Sequence, residues 1–339
     1  VKTIAFFNNK GGVGKTSLVY HLAWMYHELG ERVVAVDLDP QSNLTTAFLP
    51  VERLEQIWPN HEHPHTILGA IQPLMDHIGD LAQPHVELVD SDMWSALSLV
   101  PGDLGLSLFE DRLAEAWNKC LSDSRGEAPD AFRVMSAFHR IMERAAAQAG
   151  AEIVLVDVGP NLGALNRAAL VASDLVVVPL GADVFSLQGL RNLGPTLAQW
   201  RRGWKKRLDN EARPGDLSVP KGEMRPIGYV ILQHAAREGH PVKAYQRWID
   251  KIPEVYRRTL LDEEGDVPSP DPHLLATIRH YRSLMPMAQE ARKPMFLLKP
   301  ADGAIGSHAA AVQDCRRDFE ALARRIAAAA SIPLAAHTA

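Results

Sequence analysis

Short apolar runs alternate along almost the whole chain with stretches whose apolar positions recur every three or four residues. The runs at 2–7, 32–37, 97–100, 153–156, 175–179 and 227–232 predict strands. They are apolar on successive residues, which predicts burial on both faces and hence a parallel sheet. Helical spacing follows the first run, through Leu18, Leu22, Met25, Tyr26 and Leu29, and stops at Gly30. Further helices are predicted over 106–121, 132–149, 162–172 and 187–200, with an Ala-rich one over 316–330. The alternation predicts an α/β fold, a doubly wound and mostly parallel sheet with helices on both faces, forming one domain over 1–339. Pro59, Pro64, Pro73 and Pro84 mark 50–95 as an irregular insertion of helix or loop, and 205–226 reads as a surface loop.

Composition narrows the functional classes. The chain has 339 residues, 46% hydrophobic and 23% charged, the balance of a folded globular protein. A net charge of −5 predicts no global attraction to nucleic acid, so any such contact must use a local patch. Two cysteines, Cys120 and Cys315, exclude a disulfide framework and predict buried small residues. No apolar run has the length of a spanning helix, and the first residues lack the layout of a signal peptide, so a cytoplasmic protein is expected.

The chemistry concentrates after the first strand, at Lys10-Gly11-Gly12-Val13-Gly14-Lys15-Thr16-Ser17. A glycine turn between a strand and a helix presents backbone N–H groups to an anion, and the helix dipole reinforces them. Lys15 can reach the β- and γ-phosphates of a nucleotide, and the Thr16 hydroxyl can ligate Mg²⁺. The usual G-x-x-x-x-G-K-[ST] pattern nearly fits, with Asn9 in place of its first glycine. Asp37 and Asp39 end the second strand two residues apart, on one side of an extended chain. Asp157 ends another apolar strand, at the sheet edge where ligands of open α/β sheets bind.

The segment 10–16 resembles the deviant Walker A motif of ParA/MinD-type ATPases, with Lys10 in the position of the family's signature lysine. Asp37-Leu38-Asp39-Pro40-Gln41 is similar to the D-x-D-P-Q segment of the ParA branch. Residues 153–157 with Pro160 resemble its Walker B strand and turn, 178–190 its next strand and helix, and 282–294 its C-terminal region. The resemblance runs from residue 2 to about 325, leaving 50–95 and 205–225 unmatched. Two positions depart from it: Gly159 stands where the family commonly has Pro, and Gln233 where many members have an Asn near the adenine.

The resemblance implies an ATPase using ATP and Mg²⁺, with weak basal activity. Residues 11–17 would hold the triphosphate, Gln233 would approach the adenine, and Thr16, Asp37 and Asp157 would order the metal, partly through water. Asp39 would position the attacking water, and Lys10 would cross a dimer interface to the partner's nucleotide. It further implies an ATP-dependent homodimer, non-specific binding to double-stranded DNA, and stimulation by a ParB-like partner.

Residues 191–214 carry seven basic side chains against Asp209 and Glu211. Arg201, Arg202, Lys205, Lys206 and Arg207 form the densest part, able to neutralise phosphates without sequence preference or simply to complement a helix C-terminus. Arg279 and Arg282, with Arg257 and Arg258, are further DNA-facing candidates. The final helix offers only Phe319, Leu322 and Ile326 among alanines, which predicts packing on the sheet rather than membrane binding. His61, His63 and His65 have a spacing open to a metal, but Pro64 predicts a solvated loop. The competing function is a nucleotide-gated scaffold subunit without a DNA cycle, for which the two unmatched segments would be docking surfaces. A ligase acting on a small molecule lacks an evident second pocket.

Overall fold

The computed structural model describes residues 1–59, 62–124, 126–232, 242–281 and 283–334, without the side chains of 242–245. Gln233, Arg282 and His61 lie outside the described residues. The strands are β1 (Lys2–Phe6), β2 (Arg32–Asp37), β3 (Glu87–Ser91), β4 (Ala96–Val100), β5 (Ile153–Asp157), β6 (Leu175–Gly181), β7 (Arg225–Leu232) and β8 (Leu274–Ile278). They form one sheet in the order β3-β4-β2-β5-β1-β6-β7-β8. Every pairing is parallel except that of β3 with β4.

Helix α1 (Lys15–Glu28) follows β1, and α2 (Asn43–Phe48), α3 (Val51–Ile57) and α4 (Ile67–Met75) join β2 to β3. Between β4 and β5 run α5 (Glu110–Lys119), α6 (Glu127–Met135) and α7 (Ala137–Ala149). Helix α8 (Ala164–Val171) precedes β6, α9 (Val184–Leu208) precedes β7, and α10 (Val242–Ile249) and α11 (Ile252–Tyr256) precede β8. Helices α12 (Leu284–Ala291) and α13 (Ser307–Ala330) end the described chain.

Side chains alternate across a strand, so the continuous apolar runs supply two cores at once. Val34, Val36, Val154, Val156, Val176 and Val178 pack on one side with α4–α9 and α11. Val33, Ala35, Ile153, Leu155, Leu175 and Val177 pack on the other with α1–α3, α12 and α13. This is the doubly wound arrangement expected, and Phe319, Leu322 and Ile326 lie buried in the second core. No helix of the described residues is long and apolar enough to cross a membrane.

Four expected boundaries change. The helix expected over 106–121 opens as a tight turn at Leu104–Phe109 before α5. The helix over 132–149 is two helices broken at Ser136, whose backbone leaves the helical region at ψ 0°. Helix α9 runs to Leu208, so the loop expected from 205 begins after it. The segment 50–95 contains an edge strand, β3, besides its helices. Gly194 lets α9 close on the turn at 257–261, because a Cβ there would lie 2.0 Å from the Thr259 carbonyl oxygen.

Candidate functional site

Register brings the candidate residues together. Asp37 of β2 and Phe6 of β1 both stand level with Asp157 of β5, and β5 lies between the other two strands. The loop leaving β1 therefore passes beside both carboxylates at the C-terminal edge of the sheet. Gly12 (φ 70°) and Gly14 (φ 87°) hold left-handed backbone that side chains resist, and Lys15 begins α1 directly afterwards. The first N–H groups of α1 have no partner within the helix, which leaves them for an anion.

The loop is tied down by a residue the motif did not single out. Asn8 is 1% exposed, donates from Nδ2 to the Pro179 carbonyl at 2.7 Å, and accepts the Lys10 N–H at 3.1 Å. Gly189 allows α9 to approach it, since a Cβ there would lie 3.1 Å from the Asn8 Oδ1. Lys15 is buried, and its ammonium folds back to donate to the carbonyls of Asn8 and Lys10, each at 3.2 Å. Burial pulls its pKa below that of an ordinary lysine, against the opposing charges of Asp157 and Asp39. Lys10 forms an ion pair with Asp183, the residue capping α9, and its Nζ lies 5.6 Å from the centre of the Phe185 ring.

Asp157 is completely buried, and neither carboxylate oxygen has a hydrogen-bond partner among the described residues. Burial, then the charge of Asp37, pushes its pKa well up, while the Thr16 side chain and Lys15 oppose the rise. Asp37 is also fully buried, and burial raises its pKa to about 7 against the hydrogen bonds from Thr45. Asp39 is 8% exposed and accepts the Gln41 N–H at 3.0 Å. A Cβ at Gly159 would lie 3.2 Å from Asp39 Oδ1, so the glycine at this departing position leaves that carboxylate its room.

A buried, unpartnered carboxylate beside a threonine hydroxyl and a second carboxylate fits a divalent cation. No set of three or more His, Cys, Asp or Glu side chains among the described residues could enclose an ion. Mg²⁺ is held by one or two carboxylates together with nucleotide phosphates, the donors that Asp37, Asp157 and a bound triphosphate would supply. Lys15, Thr16, Ser17 and the backbone of 11–17 are the groups able to hold the phosphates. Beside Gly12, Val13 and Gly14 lies a cavity of about 180 Å³, lined also by Leu232, Ile278 and Tyr281.

The basic candidates separate. Arg207 is 5% exposed, stacks on Trp117 with its guanidinium 3.8 Å from the ring centre, and donates to the Gly203 carbonyl at 2.7 Å. Arg201 is half-buried and donates to the Met224 carbonyl at 3.3 Å, whereas Arg202, Lys205 and Lys206 are exposed. Arg279 is ion-paired with Asp314 and lies 3.8 Å from Asp318. Arg257 pairs with Glu263 at 3.1 Å, while Arg258 is exposed. The loop at 62–65 is exposed at Glu62, Pro64 and His65 as expected, while His63 is bonded to Asp103 at 2.7 Å and to the Pro59 carbonyl at 2.9 Å. Both cysteines are buried, and burial raises their thiols.

A family model described as an AAA domain matches residues 1–210. Protein IncC of Escherichia coli is 30% identical over 207 residues, covering 60% of this chain and 47% of IncC. Chromosome partitioning protein ParA of Caulobacter vibrioides is 30% identical over 209 residues, covering 62% of this chain and 67% of ParA. The chain thus spans about half the length of IncC and about two thirds of ParA. McdA of Cyanothece, solved as an ATP complex, has the same fold, with a TM-score of 0.62 over 99% of both chains at 16% identity. With the glycine loop, its paired lysines and the strand-end carboxylates in one place, these matches mean that the chain belongs to the ParA/MinD family of P-loop ATPases.

Proposed function

We propose that this chain is a partitioning ATPase of the ParA type. It binds ATP with Mg²⁺, pairs with a second copy, binds DNA without sequence preference, and hydrolyses ATP faster on meeting a ParB-like partner. The observation that carries the reading is Asp157, buried without a partner beside Asp37, Thr16 and Lys15. A side chain in that condition costs stability unless a cation completes it. The chromosome-partitioning role of ParA and the ATP in the McdA complex support the same reading.

Bound Mg²⁺ would neutralise phosphate charge as the terminal phosphoryl leaves. Thr16, Asp37 and Asp157 are the residues to hold it. Lys15 and the backbone of 11–17 fix the triphosphate, and Asp39 orients water and accepts its proton. Lys10 leaves Asp183 to reach the nucleotide of the second copy. Exposed apolar side chains follow the C-terminal ends of β4, β5 and β6: Leu104, Leu108, Leu162, Val184 and Phe185 are 64%, 70%, 39%, 44% and 69% exposed. Exposed apolar side chains at the edge that carries the phosphate loop suit a self-complementary interface.

Asp39→Ala tests the chemistry. Phosphate release should fall by about a hundredfold or more while ATP affinity stays within about threefold, since general-base catalysis contributes 10²–10⁴-fold. Undiminished turnover would remove Asp39 from the mechanism. DNA binding is tested on the cations of the 201–207 cluster that face solvent. Three per chain make about six in a dimer, for a slope of about −5 in log affinity against log salt. Replacing Arg202, Lys205 and Lys206 with alanine should abolish ATP-dependent binding to a random duplex without lowering the melting temperature. If the unaltered protein with ATP ignores DNA at low salt, the scaffold reading takes precedence.

A further inference from the structure

Beside Asp37 stands a hydroxyl that the phosphate chemistry above does not use. Thr45, in the first turn of α2, is completely buried. Its backbone N–H and its Oγ1 both donate to Asp37 Oδ2, at 2.8 and 2.7 Å. The same Oγ1 accepts the Gly102 N–H at 2.8 Å, so one hydroxyl joins α2, the end of β2 and the turn after β4. Gly102 closes on the carboxylate from the other side: a Cβ there would lie 2.8 Å from Asp37 Cγ and 2.9 Å from Oδ2. Oδ2 is thereby fully engaged. Among the described residues Oδ1 has only the Asp39 N–H, at 3.3 Å, and is the oxygen with capacity to spare.

We propose that Thr45 is a positioning residue for the metal site, holding Asp37 in one rotamer so that Oδ1 is presented and Oδ2 is not. The proposal rests on the Mg²⁺-dependent nucleotide site described above. A carboxylate free to rotate offers either oxygen and loses orientation; one held by a hydroxyl that is itself held by Gly102 does not. Partners of this kind, behind the groups that meet a metal, commonly change metal affinity by about 10–100-fold when removed. Valine keeps the shape of Thr45 but deletes both hydroxyl bonds, leaving the Gly102 N–H buried and unpaired. Serine keeps both bonds.

The test is calorimetric titration of the full chain with a non-hydrolysable ATP analogue, with and without Mg²⁺. In Thr45→Val the Mg²⁺-free affinity should stay within about threefold of the unaltered protein, while the gain on adding Mg²⁺ falls by about tenfold or more. Thr45→Ser should restore that gain to within about threefold, and Asp37→Asn should lose it. If Thr45→Val keeps the full gain while Asp37→Asn loses it, Thr45 has no positioning role and the nucleotide site stands. If Thr45→Ser is as impaired as Thr45→Val, the effect is packing, and the proposal fails again. If the unaltered protein gains nothing from Mg²⁺, the proposal and the metal reading fall together. Should the valine variant not fold, Thr45→Cys, similar in size and a weak donor, is measured against the same outcomes.

Discussion

Lys15→Ala should abolish ATP binding. The side chain leaves the first residue of α1 and is buried at the mouth of the glycine loop, where its ammonium rests on the Asn8 and Lys10 carbonyls. Those two acceptors are neutral and the bonds are long, at 3.2 Å, so a phosphate oxygen competes for the ammonium with full charge on its side. Burial already disfavours the charged form of Lys15, so an arriving anion relieves a cost as well as forming bonds. Hydrogen bonds to charged groups contribute about 1.5–3 kcal/mol each, and losing two should weaken binding by more than about a hundredfold. Titration with a fluorescent ATP analogue measures this. An affinity within tenfold of the unaltered protein would mean that the loop backbone alone holds the phosphates. The melting temperature should change little, because alanine suits the start of a helix.

Asp157→Asn should make the metal-free protein more stable and less active together. Burial raises the pKa of both Asp157 and Asp37; the charge of Asp37 adds to the rise at Asp157, and that of Asp39 to the rise at Asp37. The native state therefore keeps protons that the unfolded chain has already released, from about pH 4 up to the raised values. Stability from these groups is highest at low pH and declines as pH rises through that window, which for Asp37 ends at about 7. Asparagine removes the charge without changing the shape. At pH 8 the gain should be on the order of 2 kcal/mol, a few degrees in Tm, and it should shrink towards pH 4, where the aspartate is already neutral. Scanning calorimetry in EDTA across that range gives the answer. A lower Tm for Asp157→Asn at pH 8 would show that the carboxylate is satisfied in the native state after all. The gain in nucleotide affinity from Mg²⁺ should disappear in the same variant.

Both expectations begin from residues visible in the sequence, and the strands that carry them were legible for a physical reason. Residues 33–36 and 153–156 are apolar at successive positions because a central parallel strand is covered on both faces, and each run ends in a buried carboxylate at the C-terminal edge of the sheet. The glycines before Lys15 were legible because positive φ at Gly12 and Gly14 excludes most other residues. Strand β3, by contrast, pairs on one side only, carries Glu87 and Asp90, and is interrupted by a bulge after Leu88, so its pattern is not that of a buried strand. Strand β8, at the opposite edge, is short and only partly buried.

Charge in the sequence did not tell which cations face solvent. Lys205, Lys206 and Arg207 carry the same charge, yet one turn of α9 sends Arg207 inward onto Trp117, ninety residues away in the chain. The same holds for the groups around the phosphate loop. Asn8 is fixed by the carbonyl of Pro179, Lys10 by Asp183, and Asp37 through Thr45 by Gly102. Local sequence determined the loop, its lysines and the strand-end carboxylates, because backbone geometry and two-sided burial leave their mark on neighbouring residues. The order of strands in the sheet decided which distant side chains hold them in place, because those contacts exist only once the sheet has assembled.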